Sequence, residues 1–215
     1  MNLKTKINAI LSDKIGRQIR KVTLNPYQRH RLQNYNFSIL SQNCVGSIWY
    51  HDLGLQFTSP TINMKFNPND WIEFLDNIDS YLDADISFSQ SEKPYPVGSI
   101  GGDIFVEFVH YHSEEEVLNK WRQRRRRLLN RKAVLAFDEG MTDDNVMRFI
   151  AMNKFPNRLL FINKERKSLL NMINNNHCIS VLGGGNASLL NFCDLVGYRS
   201  YDKYIDYVDF LNNLI

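Results

Sequence analysis

Three short apolar runs in the C-terminal third, Ala133 to Phe137, Leu159 to Ile162 and Ile179 to Leu182, alternate with stretches of helical spacing, Asn145 to Met152 and Ala187 to Val196. No other feature narrows the fold as far. A strand covered on both faces reads as a continuous apolar run, and parallel neighbours need a crossover long enough to hold a helix. The alternation predicts βαβ units and an α/β fold, mainly parallel sheet with helices on both faces.

Upstream, Phe37 to Leu40 reads as a short buried strand that ends at Ser41-Gln-Asn-Cys-Val-Gly46, where Ser47 to His51 opens a helix. Leu53 to Phe57 and the Ser59-Pro60 turn lead into an extended segment, Thr61 to Phe66. Asp70 is placed to cap a helix whose apolar residues Trp71, Phe74, Leu75, Ile78, Tyr81 and Leu82 repeat at three and four residues. Ser89 to Pro96 is aperiodic and reads as a loop. Gly98 and Gly101-Gly102 precede an apolar strand, Ile104 to Val109. Residues 61 to 100 are expected as a small α/β subdomain. Ser113 and Glu116 form a capping box, with acids in the first turn and arginines in the last.

The chain has 215 residues and is 43% hydrophobic, enough for one sizeable core. The expected division is a basic N-terminal helical lead over 1–30 and a single α/β domain over 31–215. Cys44, Cys178 and Cys193 are odd in number and lack CxxC spacing, so neither a disulfide framework nor a zinc site is indicated, and no metal is assigned. Lys, Asp and Arg interrupt every apolar run of the first 21 residues, which excludes a secretory h-region or a membrane span. A cytoplasmic protein is expected. Ile7, Ile10, Leu11, Ile15 and Ile19 repeat at helical spacing among basic residues, the pattern of a helix packed on its own domain or of one in peripheral contact with the inner membrane.

The net charge is only +3, but the basic residues cluster at the N-terminus and around Arg122 to Lys132. Such patches suit an anionic partner. A wheel at about 100° per residue gathers Val117, Leu118, Trp121, Leu128 and Leu129 on one face, with Arg125 inside it and Arg124 at its edge. The arginine on that face needs a counter-charge, which Asp103, Glu107 or an anionic substrate could supply. No nucleic-acid motif accompanies the arginines, and nucleic acid is not an expected partner.

Cys44 follows a strand end, where open α/β sheets place their ligand sites. A thiol there is a nucleophile if a base lowers its pKa, and His110 and His112 follow another strand; the alternative is an inert buried cysteine. Asn43 either orients a ligand carbonyl or caps the next turn. Gly183 to Ser188 offers backbone amides without the spacing of a phosphate loop. Asp83-Ala-Asp85 fits the short DxD metal pattern but also a helix C-terminal turn, and Asp138, Glu139, Asp143 and Asp144 are hard-cation ligands or solvated loop acids.

Read together, residues 37–66, FSILSQNCVGSIWYHDLGLQFTSPTINMKF, with Tyr95-Pro-Val-Gly98, Asp103, His110-Tyr111, Ser113 to Glu116 and Lys120-Trp121 with Arg124 and Arg127, resemble a bacterial domain of unknown function associated with exopolysaccharide biosynthesis (domain of unknown function nineteen-nineteen). Tyr201-Asp-Lys-Tyr through Tyr207-Val-Asp-Phe-Leu-Asn212 is similar to that family's ending. The resemblance runs over roughly residues 30 to 213. It departs at Gln42-Asn-Cys-Val-Gly46, where the family carries an aromatic after the cysteine. It implies an α/β fold and a place in capsule or exopolysaccharide gene clusters, and it supplies no reaction. The Asn-Cys pair is also similar to the Gly-Asn-Cys opening of polysaccharide acetyltransferases that bind coenzyme A.

The resulting expectation is a transferase acting on a surface polysaccharide or its activated precursor. Acyl transfer comes first, nucleotide-sugar glycosyl transfer second, and a non-catalytic scaffold third. Cys44 and His110 are the expected catalytic pair, and Asn43, Ser59, Tyr95, Asp103, Tyr111, Arg124 and Arg127 the expected substrate contacts. The partners are an anionic donor, a coenzyme A thioester or nucleotide sugar, and a saccharide acceptor; no cofactor is assigned.

Overall fold

The computed structural model describes residues 3–166, 169, 178–181, 189–194 and 197–215. Gly183 to Ser188, Asn174 to Asn176, much of the expected helix over Ala187 to Val196, and the side chains of Ile7, Ile10 and Leu11 lie outside the described residues.

The elements run α1 (Leu3–Val22), α2 (Leu24–Arg31), β1 (Ser38–Ser41), α3 (Val45–Leu53), β2 (Lys65–Phe66), α4 (Pro68–Asp76), α5 (Ile78–Asp83), β3 (Ile86–Ser89), β4 (Val97–Ile100) and β5 (Ile104–Glu107). They continue with α6 (Glu114–Arg125), β6 (Lys132–Phe137), α7 (Asp143–Ala151), β7 (Arg158–Asn163), β8 (Cys178–Val181), a 3-10 turn (Ser200–Lys203) and α8 (Tyr207–Asn212). Among the described residues no helix is long and apolar enough to cross a membrane.

A four-stranded sheet in the order β1-β6-β7-β8 is parallel throughout. Its side chains alternate between two cores, as the two-residue period of a strand requires. Leu40, Val134, Ala136, Leu160 and Ile162 join Trp71, Phe74, Trp121 and Phe149 on one face. Ile39, Leu135, Phe137 and Phe161 join Trp49, Tyr201, Tyr207 and Leu211 on the other. Helices therefore cover both faces.

A second sheet, β2-β5-β4-β3, is antiparallel. The described strands are thus split evenly between the two sheets, which replaces the mainly parallel arrangement expected from the C-terminal third. Chain geometry dictates the difference. Only residues 101–103 join β4 to β5, a link long enough for a hairpin and far too short for a parallel crossover. The antiparallel sheet with α4 and α5 occupies residues 65–107, close to the subdomain read from the sequence.

Two local readings change. The helix start expected at Asp70 lies three residues earlier: the Asn67 side chain accepts from the Asn69 and Asp70 amides at 3.0 and 3.5 Å, and Pro68 opens the helix. Asp70 instead accepts from the Phe105 amide at 3.0 Å, tying the helix to the sheet. The inward arginine of α6 is Arg124, not Arg125. The helix ends at Arg125, so Leu128 and Leu129 do not belong on its wheel, and the buried stripe is Val117, Trp121 and Arg124. Arg125 pairs with Asp83 at 2.9 Å, which places the first acid of the DxD pattern in an ion pair at the end of α5.

Candidate functional site

A cavity of about 850 Å³ opens beside the carboxyl end of β1, a size typical of small-molecule sites. The second half of α1, α2, Cys44 and α3 from Ser47 to Asp52 form part of its wall, completed by Phe57, Asn63, His110 and the C-terminal segment at Leu190, Asn191 and Arg199. A broader, more open groove of about 1110 Å³ runs along Ser89 to Val97 and the start of α6, apart from Cys44.

The strand end that carries Cys44 is pinned from both sheets. Gln42 Oε1 accepts from the Phe137 amide of the parallel sheet at 2.8 Å, and its backbone carbonyl accepts from the Phe66 amide of the antiparallel sheet at 2.9 Å. Asn43 Oδ1 accepts from the Val45 amide at 3.0 Å, turning the chain into α3. Gly46 is required at the next step, since a Cβ there would sit 2.7 Å from Ser41 Cβ and 3.0 Å from Ile39 Cγ2. Cys44 is thereby held at the first turn of α3 against the cavity. Burial pushes its thiol up to about 11, with the Lys65 ammonium pulling the other way. The sulfur is protonated at neutral pH.

Asn63, the non-glycine residue with left-handed backbone among the described residues (φ 63°), faces the same cavity. Asparagine tolerates that conformation better than most side chains. Its amide donates to Ser47 Oγ at 2.9 Å. The preceding carbonyl, Ile62 O, accepts from Tyr111 Oη at 2.8 Å and from Arg124 Nη1 at 3.2 Å.

Another part of the wall is built on charge. Arg20 is almost wholly buried, donating to Asp52 at 2.7 Å, Asp202 at 2.6 Å, Gly197 O at 3.0 Å and Tyr201 Oη at 3.1 Å. The close approach at Gly197 needs glycine twice over: φ is +92°, and a Cβ would meet the Arg20 amide nitrogen at 2.7 Å. Arg29 caps the end of α3, donating to Asp52 O at 2.9 Å and His51 O at 3.4 Å. Arg199 donates to Leu190 O and lies 4.3 Å over the Phe192 ring. Lys21 and Arg17 are also on the wall, Arg17 paired with Asp13 at 2.9 Å, so the lining holds five Lys and Arg side chains against Asp13 and Asp52 and is basic on balance.

Of the residues singled out from the sequence, Cys44 and His110 both line this cavity, and Asn43 adjoins it in sequence. Tyr111 and Arg124 stand behind it. Arg124 donates to Tyr111 Oη at 2.6 Å and lies 5.1 Å from the Phe57 ring, and Phe57 itself lines the cavity. Ser59 is buried against Thr61 in the loop behind β1. The remaining three lie elsewhere: Tyr95 donates to Glu107 at 2.8 Å along the open groove, Asp103 accepts from Tyr81 at 2.9 Å in the β4–β5 turn, and Arg127 follows α6. Asp138, at the end of β6, accepts from the Asn163 amide at 3.1 Å and pairs with Arg166 at 3.6 Å. Among the described residues no three His, Cys, Asp or Glu side chains gather around one metal position.

Asn25, Arg29, Asn63 and Arg199 were not singled out. The basic N-terminal cluster was the available signal for Arg29, but nothing local marks residues that meet only across the fold.

The family model described as domain of unknown function (DUF1919) matches residues 15–212. A protein of Haemophilus influenzae, described as an uncharacterized protein, is 32% identical over 194 residues, covering 88% of this chain and 91% of its own length.

Proposed function

The chain belongs to the DUF1919 family, and from that premise we propose that it is a transferase of exopolysaccharide or capsular polysaccharide biosynthesis, acting on an activated saccharide precursor. One observation carries the reading: Cys44 and His110, chosen from separate parts of the sequence, line one basic cavity beside a strand's carboxyl end.

Acyl transfer from a coenzyme A thioester is the reaction we favour. His110 takes the proton of a saccharide hydroxyl while its oxygen bonds to the acyl carbon. The carbon–sulfur bond breaks, and the coenzyme A thiolate leaves and is protonated in turn. Cys44 lines the reacting pocket as a neutral thiol, because burial opposes the thiolate that a covalent route needs. Lys21, Arg29 and Arg199 favour the anionic partners, which are phosphate-bearing. We place the protein in the cytoplasm, at the inner membrane: α1 turns Ile15 and Val22 to solvent beside Lys14 and Lys21, a face suited to anionic lipid.

The test is made in a producing strain lacking the gene and complemented with each variant. His110→Ala abolishes the acyl substitution of the surface polysaccharide at normal protein level, whereas Cys44→Ser retains it. Unaltered polysaccharide with His110→Ala defeats the proposal.

A further inference from the structure

One helix, α1, supplies both a wall of the cavity and an apolar face turned to solvent. Among the described residues, three of the seven exposed large hydrophobic side chains lie within residues 15–27: Ile15 at 53%, Val22 at 72% and Tyr27 at 58% exposure. The apolar surface of the chain is thus concentrated at α1 and the start of α2.

α1 is amphipathic in the reverse of the usual sense. Its inward face is small or charged: a Cβ on Gly16 would sit 2.5 Å from the Phe192 ring, and Arg20 is buried between Asp52 and Asp202. Its outward face carries Ile15 and Val22, two turns apart, with Lys14 and Lys21 exposed beside them. Neither lysine forms an ion pair among the described residues. In sequence, Ile7 and Leu11 precede Ile15 at the one-turn interval. At about 100° per residue, the cavity side of α1 runs from Arg20 through Arg17 and Lys21 to Gln18, and Val22 and Ile15 follow roughly 40° and 60° beyond Gln18. Gln18 and Lys21 line the cavity and are themselves exposed, so they form its rim. Whatever lies against Ile15 and Val22 therefore lies at the mouth of the cavity.

We infer that the outward face of α1 rests on an anionic bilayer surface, and that the cavity takes its saccharide from that surface as a lipid-borne precursor. A bilayer of this kind supplies both things the face lacks, hydrocarbon for Ile15 and Val22 and negative charge for the lysines. A second copy of the chain is the poorer occupant, because a two-fold contact of this face sets its lysines against each other. The inference rests on the proposed function, whose membrane placement it extends to the substrate.

The experiment is co-sedimentation of the full chain with vesicles of phosphatidylglycerol and phosphatidylcholine, and with vesicles of phosphatidylcholine alone. The chain binds the anionic vesicles roughly 10-fold more tightly or better, and the preference collapses in about 1 M salt, which screens the lysines. Ile15→Asp combined with Val22→Asp lowers binding roughly 10-fold or more, and Lys14→Ala lowers it about 5-fold. Arg122→Ala combined with Arg126→Ala, in the other basic cluster, leaves it unchanged. Melting curves of these surface variants match that of the parent chain. In the complementation assay the Ile15→Asp, Val22→Asp chain loses the acyl substitution of the polysaccharide at normal protein level. No binding of anionic vesicles by the parent chain, or equal binding by that double variant, overturns the docking face. Self-association that the double variant abolishes, without vesicle binding, overturns it as well. Normal substitution by a double variant that no longer binds vesicles overturns the lipid-borne substrate. If vesicles are not bound while His110→Ala abolishes the substitution, this inference alone fails. If vesicle binding follows α1 and His110→Ala changes nothing in the cell, the transferase reading alone fails.

Discussion

Two arginines on one wall of the cavity are buried to nearly the same depth, Arg20 at 1% exposure and Arg199 at 6%, yet their surroundings differ. Arg20 meets two carboxylates, a backbone carbonyl and a tyrosine hydroxyl. Arg199 meets one carbonyl and one aromatic face, and its Nε meets nothing. Full pairing makes Arg20 a fastener, joining α1 to α3 through Asp52 and to the C-terminal turn through Asp202. Incomplete pairing leaves Arg199 outside any ion pair among the described residues. Burial alone would have given both the same role; the inventory of partners separates them.

The comparison breaks most readily at Arg20. Arg20→Met strands Asp52 and Asp202 in a buried site, and urea unfolding should show a loss of about 3–5 kcal/mol. A loss under 1 kcal/mol, on the order of a surface substitution, would mean that the pair is not a fastener. Arg199→Lys should cost less than Arg20→Met in the same assay, about 2 kcal/mol, because one charged hydrogen bond to a carbonyl and one stacking contact are lost and no carboxylate is stranded. A cost equal to that of Arg20→Met would erase the distinction.

A third cluster sharpens the contrast through pH. Glu107 is buried, which raises its pKa, but Lys93, Tyr95 and Lys65 outweigh burial and hold its carboxyl below the usual range. A depressed carboxylate contributes stability above its unfolded pKa, near 4.3, and that contribution disappears as pH falls through the folded value. Urea midpoints measured from about pH 6 down to about pH 3 should therefore fall less steeply for Glu107→Gln than for the parent chain. The smallest expected effect is chemical. With the Cys44 thiol pushed up to about 11, alkylation by iodoacetamide should stay slow at neutral pH and accelerate well above the range of a free cysteine. Rapid labelling at neutral pH would reopen the covalent route.

The sequence alone was sufficient for features that depend on neighbours in the chain. Residues 133–137 and 159–162 are continuous apolar runs, and they form β6 and β7 of a parallel sheet because the helix α7 between them supplies the crossover. The Ser113 cap is legible for the same reason: Ser113 Oγ accepts from the Glu116 amide three residues on, at 3.1 Å. Family membership follows from such linear patterns as well.

Tertiary structure decided the rest. Cys44 and His110 are suggestive by residue type, but only the pairing of β1 with β6, and the passage of the chain through a separate antiparallel sheet, brings them to one cavity. Arg124 rather than Arg125 turns inward because the helix stops at Arg125, a boundary that the arginine run conceals. Asn25 and Arg199 lie 174 positions apart in sequence, and neither carries a local pattern. Periodicity records which face of an element is buried, whereas the partners of a buried polar atom depend on which distant segments the whole fold brings against it. For that reason the sheet-forming runs could be read from this sequence, and the buried donor of Arg199 and acceptor of Asn25 that are left unpaired could not.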